Sequence, residues 1–167
     1  MFVIRQMQQN DLAAVIRLQD SCYHDDLFEA PEVVQQRFMR HPQSCWVAVY
    51  KDKLWGYLFT YPSKVGKVNP LGAEFPQYAS ADCLYLHDVA VSRDARGQGV
   101  ASALVHQAAL HAKELGLPQL ALVAVQNSLE FWQQQGFQQY SPITPDIEHA
   151  LATYLGSTAH YLVSKLQ

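Results

Sequence analysis

Apolar residues along the chain alternate between short clusters and helical spacing, and this alternation predicts an α/β fold. Phe2-Val3-Ile4-Arg5 reads as a short first strand. Asn10 or Asp11 then offers a helix cap, and Leu12, Val15, Ile16 and Gln19 follow helical spacing as far as about Cys22. Pro31 suits the first position of a second helix, with Val34, Phe38 and Met39 on its apolar side. Cys45 to Tyr50 and Leu54 to Tyr61 are rich in aromatic and β-branched residues around the polar turn Lys51-Asp52-Lys53, which reads as a hairpin. Residues 62 to 80 carry prolines, glycines and serines between scattered aromatics and form a long loop.

The second half continues the alternation. Cys83 to Val91 reads as a strand, and Gln98 to Leu115 as a helix with Ala101, Leu104, Val105, Ala108, Ala112 and Leu115 along one stripe. Gly116 ends that helix and Pro118 stops its continuation. Leu120 to Val125 is a near-continuous apolar run, as expected of a strand buried on both faces beside a parallel neighbour. Strand, helix and strand form a right-handed crossover. A short helix from Ser128 to Gln135 stops at Gly136, Phe137 opens another strand, and Ala159 to Leu166 reads as the last. The expected architecture is one α/β domain over residues 1–167, with a mixed, mostly antiparallel sheet flanked by helices.

Composition narrows the function classes. A length of 167 residues, 49% of them apolar and 16% charged, supports a sizeable core and argues against disorder. A net charge of −3 without a basic cluster argues against a nucleic-acid binder. No apolar run approaches the ~18 residues of a membrane span, and Met1 to Arg5 lacks a signal peptide's basic and apolar regions. Cys22, Cys45 and Cys83 show no metal-ligand spacing and read as free thiols, so a cytoplasmic location is expected, with no metal.

The chemistry gathers between the Val91 strand and the helix after it. Gly97 and Gly99 clear space for a backbone to approach a ligand and tolerate positive φ. A helix N-terminus presents unpaired N–H groups and partial positive charge, which suits a diphosphate, and Arg96 adds a cation. The same glycines also suit a tight strand-to-helix turn. The spacing differs from both a P-loop and a dinucleotide fingerprint.

Arg96-Gly97-Gln98-Gly99-Val100-Ala101 resembles the [QR]-x-x-G-x-[GA] signature of the GCN5-related N-acetyltransferase (GNAT) superfamily, which holds the pyrophosphate of acetyl-CoA. Leu86 to Val91 is similar to that superfamily's fourth strand. Asn127-Ser128 and Phe131-Trp132-Gln133-Gln134-Gln135-Gly136-Phe137 resemble its following helix and strand entry. The resemblance implies a splayed central pair of parallel strands that admits the pantetheine arm. Val89 and Val91 would offer it backbone groups, Arg96 to Ser102 would cradle the pyrophosphate, and Asn127 would bind the arm or cap the short helix. Trp132 would pack against the arm.

The implied reaction is direct acetyl transfer to an amine, a small molecule or a peptide. An amine that is mostly ammonium at neutral pH must lose a proton first, and histidine suits that task. His87 lies on the cofactor strand, and strand alternation puts Tyr85, His87, Val89 and Val91 on one face, with Asp88 opposite unless a bulge re-aims it. The alternative for His87 is a core histidine satisfied by a backbone carbonyl, and for Tyr85 a packed phenol with a wet hydroxyl. Tyr85 to Val91 and Phe131 to Phe137 look most like the arylalkylamine acetyltransferases, which carry histidines at the positions of Tyr85 and His87. Trp132 stands where the superfamily usually has a proton-donating tyrosine, which leaves Tyr85, Tyr140 or water to protonate the thiolate. His24-Asp25-Asp26-Leu27-Phe28-Glu29 either attracts a cationic acceptor or is a solvated turn. Phe75 and Tyr78 could cover an apolar acceptor, seal the core or meet a second copy in a homodimer. A non-catalytic acyl-CoA-binding module on the same fold is the second reading.

Overall fold

A mixed sheet runs through the computed structural model, which describes residues 1–23, 27, 29–154 and 158–167. Its strands are β1 (Val3–Gln6), β2 (Cys45–Tyr50), β3 (Lys53–Ser63), β4 (Cys83–Val91), β5 (Gln119–Ala124), β6 (Gln138–Gln139) and β7 (His160–Lys165). Among the described residues the spatial order is β1-β2-β3-β4-β5-β7-β6, and only β4 and β5 run parallel. The helices are α1 (Leu12–Cys22), α2 (Pro31–Arg40), α3 (Val100–Glu114), α4 (Leu129–Gln134) and α5 (Pro145–Leu151).

Alternation along the strands feeds two cores. On one side Leu58, Leu86 and Leu122 pack with Leu104, Val105 and Ala108 of α3 and Trp132 of α4. On the other, Tyr57, Phe59 and Tyr85 pack with Val15 of α1, Val34 and Phe38 of α2 and Ile147 of α5. Each fully buried leucine or phenylalanine contributes ~1.5–3 kcal/mol, so the two layers hold the sheet from both faces.

Four details differ from what the sequence predicts. Helix α3 starts at Val100, because Gly99 has φ of +80° and marks the turn into it. Its buried stripe includes His111, whereas Leu115 is 47% exposed. The cause is a Schellman stop: Gly116 N–H bonds the Lys113 carbonyl and Leu117 N–H the Ala112 carbonyl, at 3.1 and 2.8 Å. Leu117 therefore swings into the core in place of Leu115. At the start of α1, Asp11 reaches back to the Gln8 N–H at 2.7 Å and to Arg5, after a short 3₁₀ turn. Helix α5 was not anticipated by the sequence reading; Thr144 caps it through the Ile147 N–H, and Pro145 opens it.

Candidate functional site

The central feature is a slip in β4. Phe59 pairs with Asp88, and Thr60 with Leu86, so His87 is the extra residue of a β-bulge. Alternation resets there. Tyr85, His87, Asp88 and Ala90 all contact the α1–α2 side, whereas Val89 and Val91 pack towards α3. The single face expected for Tyr85, His87, Val89 and Val91 is thus replaced by two, and Asp88 lies on the same side as His87. The slip coincides with the opening of the sheet, since β4 pairs with β5 only from Leu84 to Leu86.

The open gap holds a cavity of about 320 Å³. Val89, Val91, Val123, Val125, Gln126 and Trp132 line it together with Gln19, Leu27, Glu29, Leu71, His87 and Tyr154. Ser92 N–H bonds the Trp55 carbonyl of β3 at 2.8 Å, so the alternate residues Val89 and Val91 turn their carbonyls into the gap. There the Cys22 thiol donates to Val91 O at 3.6 Å, and the Tyr23 hydroxyl oxygen, whose single hydrogen goes to Asp88, lies 3.1 Å from Val89 O.

A second hollow continues from the first over Arg96, Gly97, Gly99, Val100, Ala101 and Ser102. Gly97 and Gly99 have φ of +79° and +80°, and a Cβ on either would meet no protein atom within 4 Å. Their conformation, rather than crowding by protein, selects glycine, and the space above them is free for an occupant. The first N–H groups of α3 lack intrahelical partners and open on this hollow. Buried Ala95 anchors the loop, while Arg96 is exposed and lines both hollows. Gln98 is exposed and lines neither. Asn127 is exposed and left-handed, with φ of +62°, and its neighbours Gln126 and Ser128 line the cavity instead. Ser128, not Asn127, holds the N-cap position of α4.

His87 is held tightly. Its side chain is 3% exposed, and Nε2 lies 3.3 Å from Glu29 Oε1. Phe75 and Tyr85 flank the ring at centroid distances of 5.1 and 6.3 Å. Glu29 accepts both terminal nitrogens of Arg37 and the Gly72 N–H. Burial alone would raise the Glu29 carboxyl, but the charges and hydrogen bonds of His87 and Arg37 outweigh it and hold the group far below the usual carboxylate range. Asp88 accepts the Tyr23 and Tyr57 hydroxyls at 2.6 and 2.8 Å and the Gln19 amide at 3.3 Å, and burial pushes its carboxyl up.

The other sequence candidates sort differently. Tyr85 is buried beneath His87 outside the cavity lining, and burial with nearby Tyr154 holds its phenol well above the usual value, so it stays protonated. Trp132 lines the cavity and packs on Phe131 and Phe137. Tyr140 and Tyr78 lie off the lining, while Phe75 seals the core behind His87. Glu29 enters the site; His24, Asp25, Asp26 and Phe28 lie outside the described residues. Sequence reasoning missed Gln19, Tyr23, Arg37 and Tyr154. Gln19, a polar residue on the apolar stripe of α1, was the one visible signal. No helix among the described residues is long and apolar enough to cross a membrane.

Comparison with known proteins bears on this geometry. The sequence model of the Acetyltransferase (GNAT) family matches residues 12–137. No curated protein matches the chain. Among solved structures, the loading GNATL domain of CurA from Lyngbya majuscula is 15% identical with a TM-score of 0.74, over 98% of this chain and 96% of that one. Ard1 from Thermoplasma volcanium is 17% identical with a TM-score of 0.71, over 99% and 98%. N-acetylglutamate synthase from Neisseria gonorrhoeae, complexed with coenzyme A and N-acetyl-glutamate, is 22% identical with a TM-score of 0.69, over 100% of this chain and 35% of that one. At these identities the likeness is one of fold.

Proposed function

The chain belongs to the acetyltransferase (GNAT) family, and from that premise we propose that it transfers acetyl from acetyl-CoA directly to a primary amine, with His87 as general base. One observation carries the reading: the bulge puts His87 at the edge of the cavity that runs into the Gly97–Gly99 hollow. A thioester held between β4 and β5 and an amine entering beside Glu29 would meet near the imidazole.

The residues present fit acetyl-CoA. The hollow above Gly97 and Gly99 suits a diphosphate, with α3 N–H groups and Arg96 as its partners. The pantetheine arm would use the gap beside Val89 and Val91, sharing it with, or displacing, the Cys22 thiol and the Tyr23 hydroxyl. Trp132 would cover the arm.

In the transfer, His87 takes a proton from the ammonium and frees the nitrogen lone pair. That pair forms the C–N bond at the thioester carbonyl. Collapse breaks the C–S bond, the second nitrogen proton departs to solvent, the thiolate leaves and is protonated by water, and the imidazolium returns its proton to solvent so that His87 ends the cycle neutral. Trp132 offers only a weak indole donor. The arylalkylamine likeness of Tyr85–Val91 and Phe131–Phe137 does not specify the acceptor, which is proposed as a primary amine and no more narrowly.

Trp132 favours a second reading, a non-catalytic acyl-CoA-binding module, because the usual tyrosine is missing. An amine panel assayed for free CoA thiol separates the two. Turnover is expected, and His87→Ala should lower it ~10²–10⁴-fold with acetyl-CoA affinity unchanged. Acetyl-CoA binding without turnover on any amine would favour the module.

A further inference from the structure

The cavity joins the glycine hollow where Val91, Arg96, Ala101 and Phe131 line both. A second group of lining residues gathers around His87 through a chain of hydrogen bonds. The Leu71 N–H donates to Thr153 Oγ1 at 2.9 Å, and the next residue, Tyr154, donates its hydroxyl hydrogen to the Asn69 carbonyl at 2.6 Å. The Gly72 N–H donates to Glu29 Oε2 at 2.6 Å, and Glu29 Oε1 lies 3.3 Å from His87 Nε2. Leu71 is thus fixed through its own backbone and that of its neighbours. Leu27 lines the same cavity two residues before Glu29. Among the described residues, Leu27, Leu71 and Tyr154 line the cavity while standing outside both cores of the sheet.

We propose that Leu27, Leu71 and Tyr154 form the wall that selects the acceptor: a primary amine whose body is apolar and carries no second charge. The inference rests on the amine-transfer reading and narrows it to a substrate class. The charged side chains around the wall are already taken up. Arg37 and the Gly72 N–H hold Glu29 beside His87, and Tyr23, Tyr57 and Gln19 hold Asp88. Arg37 also donates to the Ala73 carbonyl at 3.1 and 2.7 Å and does not line the cavity. Arg96 does, but beside the hollow. Tyr154 has given its one hydroxyl hydrogen to Asn69, so its ring is what it offers an occupant. The reacting ammonium finds two carboxylates near His87. A second ammonium on the acceptor would meet no free anion, and a carboxylate no free cation, and a buried charge without a partner is costly. An alkyl or aryl body instead leaves water for an apolar wall.

The test reads binding and turnover separately, on amines of matched length: hexylamine, 1,5-diaminopentane and 6-aminohexanoate. Calorimetric titration into the protein saturated with CoA measures acceptor binding without reaction. Hexylamine should bind at least ~10-fold tighter than either charged analogue, and kcat/KM with acetyl-CoA should rank the amines alike. Leu71→Asp puts a carboxylate in the wall, so hexylamine should weaken and 1,5-diaminopentane strengthen, with CoA affinity unchanged. A charged analogue that binds wild type as tightly as hexylamine overturns the inference. So does a folded Leu71→Asp protein with the wild-type ratio, or no binding of any of these amines. Selective hexylamine binding with no amine acetylated would sink the transfer reading and keep the wall. Turnover confined to doubly charged amines would keep the transfer reading and sink the wall.

Discussion

At the scale of single residues, Trp132 separates packing from chemistry. It is 6% exposed and contacts Phe131 and Phe137 edge-on, at centroid distances of 5.0 and 5.5 Å, while one edge lines the cavity. Trp132→Phe removes the indole N–H and some contact area, worth ~1–2 kcal/mol through lost packing. Denaturant unfolding should register that loss, and turnover should fall far less than in His87→Ala. A Trp132→Phe enzyme as inactive as His87→Ala, yet binding acetyl-CoA normally, would give the indole N–H the chemical role denied to it here. Tyr85 illustrates the opposite lesson. Its sequence position beside His87 suggested a share in the chemistry, but its phenol is buried beneath the imidazole and kept protonated.

At the scale of elements, the loop between β3 and β4 is pinned to α2 and to the segment after α5. Arg37 of α2 takes the Ala73 carbonyl, Thr153 after α5 accepts the Leu71 N–H at 2.9 Å, and Tyr154 donates to the Asn69 carbonyl at 2.6 Å. Arg37 and Glu29 are 3% and 4% exposed, so removing one partner strands a buried charge. Arg37→Met should cost about 3–5 kcal/mol in denaturant unfolding. The pH dependence carries a sign. Glu29 has a depressed folded value, so its stabilisation is present above the ordinary carboxylate value of 4.5 and is lost as pH falls towards the depressed one. Arg37→Met weakens that depression, and the acid unfolding midpoint should move to higher pH; an unchanged midpoint would show that Arg37 does not hold Glu29 ionised. This network also marks where the sequence stopped being legible. The strand at Cys83–Val91, the hairpin and the glycine loop were readable because local apolar runs and glycines specify them. The bulge at His87 was not, because apolar alternation continues through it and only the pairing with Phe59 and Thr60 reveals the slip. Glu29 meets His87 across 58 residues, a contact that only tertiary folding creates. Helix α5 was overlooked although Thr144-Pro145 is a good start signal, since it follows a short strand and spans only two turns.

At the scale of the whole molecule, the sheet is two paired blocks joined by three residue pairs. On one side β1 to β4 pair antiparallel, on the other β5 pairs with β7 along six residues, and between them only Leu84, Tyr85 and Leu86 meet β5. The upper part of that seam is open and bordered by Val89, Val91 and Gln126, with α3 N–H groups at its end. An occupant spanning the seam would contact both blocks and stabilise the native state by mass action. At a concentration of 100 times Kd the gain is about 2.7 kcal/mol. For a chain of this size each kcal/mol raises Tm by about 2–4 °C, so saturating acetyl-CoA should raise it by about 5–11 °C. Hydrogen exchange should slow at residues 87–91 and 123–126, the lips of the seam. Gly99→Val supplies the control, because a β-branched residue at φ of +80° strains the turn by ~1–2 kcal/mol and puts a side chain where the diphosphate would lie. That variant should stay folded, with a slightly lower Tm, and lose the acetyl-CoA shift. If wild type shows no shift, or Gly99→Val shows the same one, the occupant does not use the glycine loop, and the seam has been assigned the wrong ligand.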